Sequence, residues 1–199
     1  GTGNIFGAKQ SGFVDALGHD LYIKIINEAI TSMKEEIGIG EEKPKEQEPE
    51  IESAVEMHED FYLPEDYVSL SAERVEIYKR LINCEGLPQL DSLSKELKDR
   101  FGVLPKPAQN LFDYIALKKL AQKIKIEKLS ISEKSLKGKF VSTLIPKNEE
   151  FRPWLGKIVQ AGGEQLQLKQ EGNDLMFEMY FKENSNFVEV TKNFLQRVV

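Results

Sequence analysis

Apolar residues recur along most of this chain at helical spacings, and past residue 125 they begin to alternate. Near the start, Leu17, Leu21, Ile25, Ala29 and Met33 fall every four residues, and Tyr22, Ile26 and Ile30 widen the stripe. This predicts a helix lying against a protein surface, ended by Gly38 and Gly40. After a polar gap the pattern resumes. FYLPEDYV predicts a short extended segment broken at Pro64. SAERVEIYKRLINC predicts a helix with Ser71 as N-cap and Val75, Tyr78, Leu81 and Ile82 on one side. LPQLDSLSKELKDRFG predicts a second, with Pro88 in its first turn, Leu90, Leu93, Leu97 and Phe101 as its stripe, and Gly102 as its stop. PKPAQNLFDYIALKKLAQKI predicts a third, opened by Pro107, with Leu111, Ile115, Leu120 and Ile124 inward.

Strand signals follow. Ile126, Leu129 and Ile131 lead to a turn expected around Gly138, from which FVSTLI returns. EEFRPWLGKIVQ reads as a short helix with Pro153 in its first turn. EQLQLKQ and LMFEMYF, joined at EGND, read as a hairpin, and SNFVEVTKNFLQRV closes as a helix. The fold class is α+β: a helix-rich N-terminal tail (1–37), a flexible acidic linker (38–50), and a domain (51–199) whose helical half precedes an antiparallel sheet packed with helices. GIGEEKPKEQEPE is assigned to the linker because it has too few apolar residues to offset its ordering entropy.

Composition narrows the function classes. Of 199 residues, 40% are hydrophobic and 30% charged, as in ordinary globular proteins. No apolar run approaches a membrane span, and no membrane partner is expected. The single cysteine, Cys84, permits no internal disulfide and favours a reducing, cytoplasmic setting. One Cys and two His, His19 and His58, cannot make a four-ligand Cys/His zinc site. Net charge is −6, but residues 41–60 alone hold nine acids and two lysines, so the rest is close to neutral. Residues 118–139 hold eight lysines and two acids. Aromatics do not interleave with these lysines, as they do on stacking platforms for single strands. The bland reading is a solvated face; the alternative is salt-sensitive phosphate tracking. Glu96 and Asp99, three apart on one helix, turn two carboxylates the same way. No nucleophile, base and orienting group can be grouped from the sequence.

The opening GTGNIFGAKQSG fails both nucleotide-loop patterns. Phe6 stands where a dinucleotide fingerprint needs its third glycine, and no strand precedes it. For a Walker loop, Lys9 sits one place late after Gly7, and the hydroxyl is not adjacent. The stretch instead resembles R-G-x-G-N-x-x-G-x-x-Q-S-G, the TRG motif that follows the second motor domain of the bacterial transcription-repair coupling factor (Mfd) family. LPEDYV, ERVEIYKRL, ELKDRFGVLPKPAQNLF and LKKLAQKIKIEKL resemble successive signatures of the C-terminal domain of the same family. The ordered run DRFG-x-LP-x-PA-x-x-L is far more specific than any glycine count.

The resemblance implies the C-terminal part of an ATP-dependent translocase on double-stranded DNA that displaces stalled RNA polymerase and recruits excision repair. Gly3, Gly7, Gln10, Ser11 and Gly12 would form the motor-coupling loop, with Gln10 carrying its polar contacts. ATP and magnesium would belong to the parent's motor; none is expected in this stretch, which lacks the helicase motifs and is not expected to be an enzyme by itself. The domain is expected to mask the parent's own N-terminal UvrA-binding module until the motor engages, with Glu96 and Asp99 meeting basic side chains there. Two rival readings are a DNA-binding module using residues 118–139 and a small-molecule enzyme with a concave pocket.

Overall fold

The structure, a computed structural model, describes residues 53–199. It begins with strand β1 (Ala54–Met57), followed by helices α1 (Ser71–Ile82), α2 (Leu87–Phe101) and α3 (Lys106–Lys123). Strands β2 (Ile126–Ile131) and β3 (Ser135–Phe140) form a hairpin. Helix α4 (Phe151–Gly162), the hairpin β4 (Leu166–Glu171) and β5 (Asp174–Tyr180), and helix α5 (Phe187–Val198) complete the chain. The strands form one sheet in the order β1-β2-β3-β5-β4.

The sheet is mixed, where a purely antiparallel one was expected. β1 runs parallel to β2, with Val55 opposite Leu129 and Met57 opposite Ile131. Parallel neighbours need a long crossover, and here the three helices α1–α3 supply it. The helical half is therefore the connection between two adjacent strands of the sheet. The strand itself is AVEM, not FYLPEDYV: Val55 and Met57 face the core while Glu56 faces out and meets Lys128 at 2.7 Å.

Helix α1 is rotated from its expected face. Arg74, Ile77 and Leu81 are buried, while Val75, Tyr78 and Ile82 are only partly so. Spacings of three and four fit either stripe. Side-chain hydrogen bonds to the loop just before the helix choose between them, because Arg74 is drawn inward to the carbonyls of Val68 and Ser69. Ser71 does not cap the helix: Leu70 occupies the N-cap position, and no side chain accepts a bond there. In α2, Leu90, Leu93 and Leu97 are buried, and Gly102 ends the helix at φ +86°, a conformation that favours glycine. Helix α3 is buried on most sides because it packs against α1, α2, α5, β1 and β2.

Gly138 lies inside β3 rather than in a turn. A Cβ there would stand 2.1 Å from the Phe177 ring, so the glycine is a seat for that ring. The turn falls at 132–134, where the Ser132 hydroxyl donates to the Ser135 carbonyl at 3.0 Å. The inner sheet face carries Leu136, Phe140, Phe177 and Met179. From it an aromatic chain runs outward: Phe140 meets Trp154 at 5.0 Å and Phe177 meets Phe194 at 5.5 Å. Asn186 caps α5 by accepting from the Glu189 amide at 3.2 Å.

Candidate partner interface

The ordered motifs of the helical half fold onto one another. The Tyr67 hydroxyl donates to the carbonyls of Leu97, at 3.1 Å, and Gly102, at 3.0 Å. Its ring meets Phe101 edge-on at 5.7 Å, and the Arg100 guanidinium lies 4.7 Å over Phe101. The Leu63 amide donates to the Tyr78 hydroxyl at 2.8 Å. Arg74, 9% exposed, donates to the Val68 carbonyl at 2.7 Å and pairs with Glu65 at 3.1 Å. The Gln109 amide side chain donates to the Leu104 carbonyl at 2.7 Å, closing the loop into α3. LPEDYV, ERVEIYKRL and DRFG-x-LP thus hold each other in place, which makes most of their residues structural. Two residues beside this staple are not absorbed: Leu70 is 65% exposed and Val103 84%.

Glu96 and Asp99 sit on the same helix but in different electrical states. Glu96 accepts a two-pronged bond from Arg80, at 2.7 and 2.6 Å, and a longer one from Arg100 at 3.4 Å. Arg100 also pairs with Glu73, so four charges of alternating sign join α1 to α2. The Arg80 hydrogen bond is the largest cause that lowers the Glu96 carboxyl from its ordinary 4.5 to about 2. The same contact holds the Arg80 proton more tightly. Asp99 is exposed and has no ion pair among the described residues. Of the two carboxylates, Asp99 is free for a partner, and Glu96 can meet one only by sharing or exchanging its arginines. Sequence spacing could not reveal this, since Arg80 lies sixteen residues away.

The lysine-rich stretch divides in the same manner. On the outer sheet face, Lys128 meets Glu56 at 2.7 Å, and Lys139 meets Asp174 at 3.1 Å and Glu127 at 3.6 Å. Glu178 lies between Lys137, at 3.1 Å, and Lys169, at 3.2 Å. These hydrogen bonds, Lys137 first, hold the Glu178 carboxyl below its usual range. Asp174 is lowered too, first by the Ser142 hydroxyl and then by Lys139. Each of these lysines thus has a carboxylate within 3.2 Å on an adjacent strand, directly across for Lys137 and diagonally for the others, which leaves little uncompensated positive field on this face.

The remaining candidates are placed as follows. Cys84 is buried, and burial raises its thiol pKa, the reverse of an activated nucleophile. His58 is exposed, and no group of three His, Cys, Asp or Glu among the described residues could hold a metal. No helix among them is long and apolar enough to cross a membrane. Open clefts among the described residues include ones of about 430, 350 and 340 Å³. The loop residues Gly3, Gly7, Gln10, Ser11 and Gly12, the first helix and the linker lie outside the described residues.

Residues 57–149 match the family model described as the TRCF domain. A transcription-repair-coupling factor of Staphylococcus epidermidis is 38% identical over 136 residues, 68% of this chain and 11% of the relative. The chain carries a TRCF domain. The Escherichia coli transcription-repair-coupling factor is 29% identical over 198 residues, 100% of this chain and 16% of its own length. The chain therefore spans only 11% to 16% of the lengths of these two curated relatives. A crystal structure of the C-terminal domain of transcription-repair coupling factor superposes with a TM-score of 0.61 at 16% identity, over 74% of this chain and 91% of that one. The α+β architecture of the described residues is thus that of a TRCF C-terminal domain. The family match runs from β1 through the three helices to the β2–β3 hairpin, so it contains the Glu73–Arg100–Glu96–Arg80 network.

Proposed function

We propose that this TRCF domain regulates a larger transcription-repair coupling factor by covering a protein surface, the parent's own N-terminal UvrA-binding module. The parent would be an ATP-dependent translocase on double-stranded DNA that removes stalled RNA polymerase and recruits nucleotide excision repair. The observation that carries the reading is the exposed face of α2. There Asp99 is uncompensated beside an arginine-shared Glu96, close along the chain to exposed Val103. Charges so placed give register and specificity more than affinity, and an exposed aliphatic nearby adds apolar area to bury.

Covalent attachment keeps such a partner at high effective concentration, so a modest intrinsic affinity is enough to mask the site. Motor engagement must then favour the uncovered state by differential binding. Gly3, Gly7, Gln10, Ser11 and Gly12 are proposed to couple the motor to this change. The test is calorimetric titration of the UvrA-binding module with this domain over a salt series. Asp99→Lys should weaken binding about tenfold at low salt, and Glu96→Lys with Asp99→Lys by more. Equal affinities for wild type and double variant at every salt concentration would overturn the reading. Deleting residues 51–199 from the parent should raise its ATPase and its UvrA binding.

A further inference from the structure

The lysines that the sheet does not neutralise gather elsewhere. Lys123, in the last turn of α3, and Lys125, just past it, line an open cleft with Lys157 from the middle of α4. None of the three has a carboxylate partner or side-chain hydrogen bond among the described residues. Among the described residues, Glu150 is the only acidic side chain in the lining. A helix C-terminus favours a cation, which accounts for Lys123. It does not account for Lys157, which is not at a helix end. Nor does it account for Lys125, which holds a left-handed backbone at φ +64° where glycine is the usual residue.

Trp154 lines the same cleft. The half-buried indole packs against Phe140 at 5.0 Å and Phe151 at 6.1 Å, so it is held as a fixed plate. Along the sequence it lies well outside the lysine-rich stretch; the fold carries it there. Pro146 and Pro153 add apolar wall, and the cleft holds about 340 Å³, near the small end of ligand sites. An aromatic plate flanked by three uncompensated cations matches a flat group attached to anions. The face of an indole is electronegative and repels carboxylates, but it stacks on any nucleobase. Bases inside a duplex are already stacked, which leaves unpaired ones.

We propose that this cleft binds single-stranded nucleic acid, one base stacking on Trp154 and the adjoining phosphates meeting Lys123, Lys125 and Lys157. The site is separate from the α2 face, so it does not rest on the masking role.

Trp154 is the only tryptophan in the 199 residues, so its fluorescence reports this cleft alone. The full chain is titrated with a short oligothymidine. Expected is saturable quenching whose log affinity falls with log salt at a slope of about −2, for roughly three phosphate contacts on a single strand. Lys125→Gly with Lys157→Gln should weaken binding about tenfold and flatten the slope. Neither change removes core packing, since one relaxes a left-handed residue and the other alters an exposed position in mid-helix. Trp154→Phe should keep part of the affinity, read by anisotropy of labelled oligothymidine. Absence of quenching at low salt, or wild-type affinity in the double variant, overturns the proposal. Equal quenching by a polyglutamate peptide of matched charge overturns the assignment to nucleic acid.

Discussion

The outer face of the sheet and the cleft beside Trp154 draw lysines from one stretch of chain, yet their electrostatics are opposite. On the sheet, Lys128, Lys137 and Lys139 each meet a carboxylate on a neighbouring strand. At the end of α3, Lys123 and Lys125 meet none among the described residues. Strand register is the cause. It brings a lysine within reach of a carboxylate directly across, as Lys137 reaches Glu178, or one pair along, as Lys139 reaches Asp174, although Lys128 itself stands opposite Lys139. A helix end facing a cleft has no such row. A run of lysines in a sequence therefore says little about the field a partner meets; what matters is which of them the fold leaves uncompensated.

The comparison can be broken most forcefully from beneath the sheet. Gly138→Ala places a methyl 2.1 Å from the buried Phe177 ring and should destabilise the domain by about 3 kcal/mol. Urea unfolding reads this; an unchanged midpoint would mean the ring does not rest on β3. Arg74→Met tests a buried cation compensated by two carbonyls and Glu65 rather than by a strand ladder. It leaves the carbonyls of Val68 and Ser69 without their donor and should cost about 2 kcal/mol in the same assay.

Glu178→Gln sharpens the contrast directly. It releases Lys137 and Lys169 together, turning a compensated patch into a free one. The variant should bind anionic oligomers more tightly at low salt while leaving Trp154 fluorescence in the free protein unaltered. Anion binding equal to that of the wild type would show that the ladder does not suppress the positive field.

The smallest effect is expected at Glu96. Its carboxyl is lowered from 4.5 to about 2, so its contribution is complete above pH 4.5 and is lost as pH falls toward 2. The group is partly exposed, with 37% of its side chain accessible, so Glu96→Gln should cost only about 0.5 kcal/mol at neutral pH. The gap between the two proteins should close with acidification through that window. A gap that persists at pH 2 would point to packing rather than charge.

Helices α2 and α3, the β4–β5 hairpin and α5 were legible because each carries its own periodicity and its own punctuation. Pro88 and Gly102 bracket α2, and Gly172 at φ +60° turns the last hairpin. β1 was not legible: four residues in an acidic surround give too short an alternation, and their partners lie more than seventy positions away. Gly138 reads as a turn signal, but the ring it accommodates belongs to a distant strand. The two carboxylates of α2 were visible as a pair. That one of them is held by arginines was not, because Arg80 sits on another helix.

By itself, the sequence determined local structure and kinship. Periodic apolar positions, helix stops and one long ordered motif depend only on residues near each other in the chain. The tertiary structure alone decided which charges remain uncompensated and that the solitary tryptophan stands beside Lys123, Lys125 and Lys157. Those outcomes depend on contacts between distant segments, and both compensation and burial are set by distance in space.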